Sequence, residues 1–296
     1  MKKFLLKSAG FVSFFIAFFI LINAIYVAVL IVASFNVENR LESLQFVNPD
    51  YNLLVLGAST TSDGVDTELL SENGFKSYNL AIGGSTVRTS YIQLEEYIER
   101  YAIKPKYVFL GVNSTMEGDL DKGGIHPIIE VTMKDHNFSI EDIPISKFRW
   151  LAFEISKRLV SKDHRNTSLV QGQLRIQRTV KDISAYKEQY LDLQIFESSI
   201  WLGEIARLCT QNEIGLFIIE MPGYRETQNL SEFGPYEITL ENGYTANVYN
   251  FNSRYIADEF DSDHDWLGNS HLNQRGAVKF TDMLIDALQE YMNCQI

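Results

Sequence analysis

The chain has 296 residues, 46% of them hydrophobic, and carries 26 Lys and Arg against 38 Asp and Glu, a formal net charge of −12. That length and apolar content suit one large or two small domains with a proper core. The acidic balance argues against a nucleic-acid partner, whose phosphates most of this surface repels. The two cysteines, Cys209 and Cys294, are far apart and in no metal-type spacing, which argues against a disulfide framework or a Cys-based zinc site. Cys209 lies in the apolar pattern IWLGEIARLCT and reads as a small core residue.

The N-terminus begins MKKFLLK, and residues 8–37 then contain no charged side chain. A bilayer core needs about 20 apolar residues in a helix, and this run suffices. A cleaved signal usually has an apolar region of only about 7–15 residues, so residues 1–36 read as a cytoplasmic tip and an uncleaved anchor. IVAS, residues 31–34, keeps cleavage as a minor alternative. Lys2, Lys3 and Lys7 precede the run and Glu38 follows it, so the positive-inside rule puts the rest of the chain outside the cytoplasm. Residues 37–50 are mixed and polar, a short juxtamembrane linker. The globular part is expected over 51–296.

YNLLVLG, residues 51–57, is a short apolar run that predicts a buried parallel strand. TELLSENG (67–74) predicts a helix stopped by Gly74. KSYNLAIGG (76–84) predicts a second strand, TSYIQLEEYIERYAI (89–103) a helix, and KPKYVFLGVNS (104–114) a third strand. Residues 117–199 break the rhythm and are expected to be an insertion of helices and loops, with an amphipathic stretch at 145–160. IWLGEIARLCTQNE (200–213) predicts a helix and IGLFIIEMP (214–222) a fourth strand. A long polar excursion fills 223–262, of a kind often used to bind substrate. AVKFTDMLIDALQEYM (277–292) predicts a closing amphipathic helix. Alternating strands and helices imply an α/β fold, a doubly wound parallel sheet flanked by helices, with its ligand site beyond the carboxyl ends of the strands.

Three of those strand ends are GAST, GGST and GVNST, which the topology gathers on one rim. Ser59 follows the first strand, where a glycine keeps its surroundings open for a nucleophile. A turn in which Ser59 or Thr60 caps the next helix is the plainer explanation of the same residues. The N–H groups of Ser59 and Gly84 and the side-chain amide of Asn113 are candidate donors to an oxyanion. Of five histidines, His264 and His271 fall in EFDSDHDWLGNSHLNQRGAVKFT (259–281), a position that can return to the strand ends as a general base. DSDHD reads as a solvated acidic loop rather than a metal site, because contiguous side chains rarely converge on one ion.

LGAST, NLAIGGST, LGVNST and SHLNQRGAVKFT together resemble, in order, the sequence blocks of the SGNH/GDSL hydrolase superfamily, over about residues 51–292. The resemblance implies a flavodoxin-like fold, Ser59 as nucleophile, Ser59, Gly84 and Asn113 as the oxyanion hole, His271 as base, and no cofactor or metal. Two positions depart from the family pattern. GAS replaces the commoner GDS, and Gly268 stands where the family's acid usually lies, three residues before the histidine. Asp265 is the nearest substitute acid and Asp263 the next. Asp261 and His264 form a literal D-x-x-H and are the rival base pair; HLN and the following glycine favour His271.

The resemblance extends to envelope polysaccharide and teichoic-acid acylation proteins. It implies a membrane-anchored, extracytoplasmic serine esterase or O-acyltransferase acting on acyl, notably acetyl, esters of a cell-surface glycan, with a separate membrane protein as acyl donor if it transfers. The contrasting expectation, supported by Gly268, is an inactive binding or scaffold subunit that keeps the fold.

Overall fold

A computed structural model describes residues 2–33, 50–113, 167–179, 198–224, 235–253, 256, 258–268 and 270–294. Residues 37–49 of the juxtamembrane linker and the amphipathic stretch at 145–160 lie outside these residues. The uncharged N-terminal run forms one helix, α1 (Lys2–Ala33). Its Leu6–Tyr26 stretch is long and apolar enough to cross a membrane, and none of it is buried in protein. Phe11, Phe14, Phe15, Phe18 and Phe19 are all exposed. α1 and the sheet domain fall in separate compact units.

In the sheet domain the chain runs β1 (Leu53–Gly57), α2 (Ser59–Gly64), α3 (Thr67–Glu72), β2 (Ser77–Asn79), α4 (Val87–Arg100) and β3 (Tyr107–Val112). After β3 the described elements are β4 (Thr167–Val170), β5 (Gln173–Ile176), α5 (Ile200–Gln211), β6 (Gly215–Glu220), β7 (Tyr236–Thr239), β8 (Thr245–Asn250) and α6 (Gln274–Cys294). Six strands form one sheet in the order β2-β1-β3-β6-β8-β7. The first five are parallel, and β7 closes the edge antiparallel to β8. The expected all-parallel sheet is therefore a mixed, mostly parallel one. The excursion at 223–262 is not merely loop, since it supplies β7 and β8.

The central strands are buried on both faces, as a parallel sheet covered by helices requires. Strand residues alternate between two cores. Leu53, Val55, Phe109, Phe217, Ile219, Tyr249 and Phe251 face a core shared with Leu70 of α3 and with Phe280, Leu284 and Leu288 of α6. On the opposite face α4 and α5 pack on each other and on β1 and β6. Cys209, a free thiol, is buried on α5, and burial pushes it up to about 12.

β2 is short, yet the chain keeps pairing beyond it. The N–H groups of Leu80 and Ile82 donate to the carbonyls of Val55 and Gly57 at 2.8 and 3.1 Å. β1 lies between β2 and β3, so the chains leaving β1 and β3 diverge and open a crevice at their carboxyl ends.

The expected helical insertion contains, in its described part, an antiparallel hairpin, β4–β5. Its two-residue turn has positive φ at both Gln171 (45°) and Gly172 (82°), the requirement of a type I′ turn. The turn docks on the sheet: the N–H of Asn79 donates to the Gln171 carbonyl at 2.9 Å. A Cβ at Gly172 would overlap the Asn79 carbonyl, so only glycine permits this approach.

Candidate active site

The site starts with two glycines paired across the sheet, Gly57 at the end of β1 and Gly111 on β3. Directly after β1 the chain turns into α2, and Thr61 comes down over both glycines. A Cβ at Gly57 would stand 2.5 Å from Thr61 Oγ1 and 2.6 Å from the Gly111 carbonyl. Gly57 also has φ +142°, a conformation that other residues rarely adopt. The glycines thus let a helix sit on the strand ends. Asn113, after β3, donates from Nδ2 to Thr60 Oγ1 at 3.1 Å, and Asn79, ending β2, donates from Nδ2 to the Thr61 carbonyl at 3.0 Å. Residues from three strand ends therefore fix α2.

Ser59 is the first residue of α2, with Ala58 at the N-cap making no side-chain cap bond, so Ser59 is not spent on capping. Asp63 follows four residues later. On a helix, residues four apart lie on one face, a turn from each other.

His271 arrives from the other end of the chain on a pinned loop. The N–H of Leu267 donates to the His271 carbonyl at 2.7 Å, and the N–H of Asn273 donates to the Asp265 carbonyl at 3.0 Å. Trp266 and Leu272 bridge across the loop and are both buried. Asn273 caps α6: its Oδ1 accepts from the N–H groups of Arg275 and Gly276 at 3.0 and 3.1 Å. A side chain at Gly276 would collide with the Asp265 carbonyl. The stretch HLNQRGA is thus base, cap and close-approach glycine in one segment.

These pieces meet in a relay. Ser59 Oγ lies 3.3 Å from His271 Nε2, and His271 Nδ1 lies 2.9 Å from Asp63 Oδ2. The Asp63 side chain is 8% exposed and that of His271 33%, so the carboxylate is sheltered while the imidazole reaches the surface. A carboxylate accepts the proton of Nδ1, which leaves the Nε2 lone pair for the serine hydroxyl. A spacing of 3.3 Å is at the loose end usual before substrate binds.

Beside the serine runs the loop after β2. The N–H of Ser85 donates to the Ile82 carbonyl at 3.0 Å, and Gly84 has φ +79°, the pattern of a type II turn with glycine at its third position. The Cβ direction at Gly83 points to Ser59 Cβ at 3.6 Å, whereas that at Gly84 opens into free space. The loop therefore passes next to Ser59. Asn113 reaches the same helix through Thr60. The Ser59 N–H lies in the first turn of α2, where backbone donors have no intrahelical partner.

Asp265 is not the acid of this relay. It is fully buried and faces away from His271: Oδ2 accepts from Lys279 Nζ at 2.6 Å and from the Asp261 N–H at 2.7 Å, and Arg275 Nε stands 3.0 Å from Oδ1. It holds the loop to α6. Asp263 donates its N–H to Asp261 Oδ1 at 2.9 Å and is exposed. The rival pair does form, with His264 Nδ1 2.9 Å from Asp261 Oδ2. The Asp263 N–H and then the His264 imidazole hold the Asp261 carboxyl below its usual range. That pair is exposed, and among the described residues no serine hydroxyl bonds to His264. Gly268 borders open space. Among the described residues no group of three or more His, Cys, Asp or Glu is arranged to hold a metal ion.

The residue missed from sequence is Asp63. Its signal was the four-residue spacing in Ser59-Thr60-Thr61-Ser62-Asp63, legible only once this polar stretch is known to be helical. No protein-family model matches the chain, and no curated protein matches it.

Proposed function

We propose that this chain is a serine-dependent ester hydrolase or O-acyltransferase. The observation that carries the proposal is the unbroken relay from Ser59 through His271 to Asp63. Ser59 Oγ attacks the ester carbonyl while His271 Nε2 takes its proton, and Asp63 holds the resulting imidazolium. The negative charge on the former carbonyl oxygen is met by the Ser59 and Gly84 N–H groups and the Asn113 amide. Collapse breaks the bond to the alcohol, which leaves with the proton from His271, and an acyl-Ser59 ester remains. Water then gives hydrolysis and a sugar hydroxyl gives transfer, each activated by the same imidazole.

The resemblance of LGAST, NLAIGGST, LGVNST and SHLNQRGAVKFT to SGNH hydrolases supports this assignment. It also points to acyl esters of a cell-envelope glycan as substrate. α1 would serve as a single-pass anchor, with the lysine-bearing tip in the cytoplasm and the sheet domain outside. Transfer would call on a separate membrane protein to deliver acyl groups, since one anchor helix forms no conduit. The scaffold alternative drew on the missing acid at Gly268; Asp63 supplies an acid from another element and removes that ground.

The test is labelling of the full chain, in detergent, with a serine-reactive fluorophosphonate. Wild type is expected to label and Ser59→Ala to stay unlabelled. Folded wild-type protein that does not label would return the chain to the scaffold class.

A further inference from the structure

The helix that carries Ser59 and Asp63 has only six residues. Such a helix leaves its last four carbonyls without internal partners, so something outside must hold its carboxyl end. For the Asp63 carbonyl that partner is Gln173, at the start of β5. Gln173 is fully buried, and its Nε2 donates to the Asp63 carbonyl at 3.2 Å and to Gln274 Oε1 at 3.2 Å. Gln274 is the first residue of α6, three residues after His271.

Gln173 belongs to a closed ring of four side chains. Gln274 Nε2 donates to Asp66 Oδ2 at 2.6 Å, Arg175 Nη2 donates to Asp66 Oδ1 at 2.8 Å, and Arg175 Nε donates to Gln173 Oε1 at 3.0 Å. Asp66 also caps α3 through Oδ1, accepting from the N–H groups of Glu68 and Leu69 at 3.1 Å each. The ring therefore ties together three things: the end of the helix bearing nucleophile and acid, the start of the helix that follows the base, and the hairpin.

We infer that Gln173 is a positioning residue for the relay, holding the Asp63 end of α2 in register with His271. This rests on the serine mechanism proposed above. Its two amide hydrogens bridge the two chain segments whose separation sets the Asp63–His271 contact, and a shift of about 1 Å in such a contact can cost about 100-fold in rate.

The test uses the full chain in detergent and compares wild type, Gln173→Met and Gln274→Met. Methionine keeps the length of glutamine and carries no charge, so it removes the bridge without adding a field. The readouts are the maximal rate of fluorophosphonate labelling per folded molecule, the probe concentration that half-saturates it, and the melting temperature. Both variants are expected to label about 10- to 100-fold more slowly. The loss is expected in the maximal rate and not in the half-saturating concentration, because the variants disturb the relay and leave the surface that meets the probe unchanged. A merely structural Gln173 would lower the melting temperature and leave both labelling readouts at wild-type values, which overturns the inference alone. Failure of folded wild type to label overturns the serine mechanism and the inference together. Should Gln173→Met not fold, Gln274→Met decides, since it breaks the same bridge from the α6 side.

Discussion

Ser59 and Asp63 stand one turn apart on a single short helix, and one histidine touches both. The hydroxyl and the carboxylate therefore move as a unit. Their mutual geometry is set by helical rise alone, and only the imidazole must be brought in from elsewhere.

Asp63→Asn keeps the shape of the side chain but lets its amide donate toward Nδ1, which selects the wrong tautomer of His271. Labelling or turnover is expected to fall by about 10⁴-fold with little change in melting temperature. Rates within a few fold of wild type would dissociate Asp63 from catalysis.

Asp265 and His264 are expected to behave in the opposite way. Asp265→Ala leaves Lys279 and Arg275 facing a vacated buried site, and loss of one member of a buried ion pair costs about 3 kcal/mol, the low end because both cations are partly exposed. Chemical denaturation should record that loss, while the folded fraction reacts at the wild-type rate. His264→Ala should change neither quantity appreciably, and His271→Ala should abolish labelling. A greater effect of His264→Ala than of His271→Ala would move the base to the Asp261–His264 pair.

Gly111→Ala drives a methyl group into the Thr61 side chain. Overpacking of this kind costs about 1–3 kcal/mol, and here it pushes on the helix that carries the serine. Both stability and labelling rate should fall. Thr61→Ala in the same chain removes Oγ1 and Cγ2, two of the three atoms in the way, and should restore part of both. Strict additivity in the double-mutant cycle would show that the two residues do not press on each other.

Four of the five parallel strands, β1, β2, β3 and β6, were legible because each lies in an apolar run closed by a glycine or a polar turn, and burial on both faces demands that composition. What escaped was polar and short. TTSDG has no apolar period, so α2 had no signature apart from following a strand. β7, the edge strand, and β8 beside it carry Tyr, Glu, Thr and Asn and lack the continuous apolar run of the central strands. The β4–β5 hairpin was announced by Gln171-Gly172 between alternating residues, a pattern masked by the charge of its surroundings. Ser59, Gly84, Asn113 and His271 were singled out because each follows a predicted strand or precedes the last helix, and the fold brings Ser59 and His271 within 3.3 Å. The carboxylate was sought beside the histidine in sequence, and the one that meets His271 is Asp63, four residues after the serine.

Ser59 and His271 are 212 residues apart along the chain. Such a contact closes late, after the entropy of nearly the whole intervening polypeptide has been surrendered. A growing chain that has already made β1 and α2 still lacks His271 and the α6 end of the clamp. Its serine is then an ordinary hydroxyl, indifferent to every ester it meets. On the serine mechanism proposed above, reactivity is a property of completion: a partly made or C-terminally clipped copy holds Ser59 without the imidazole that would activate it.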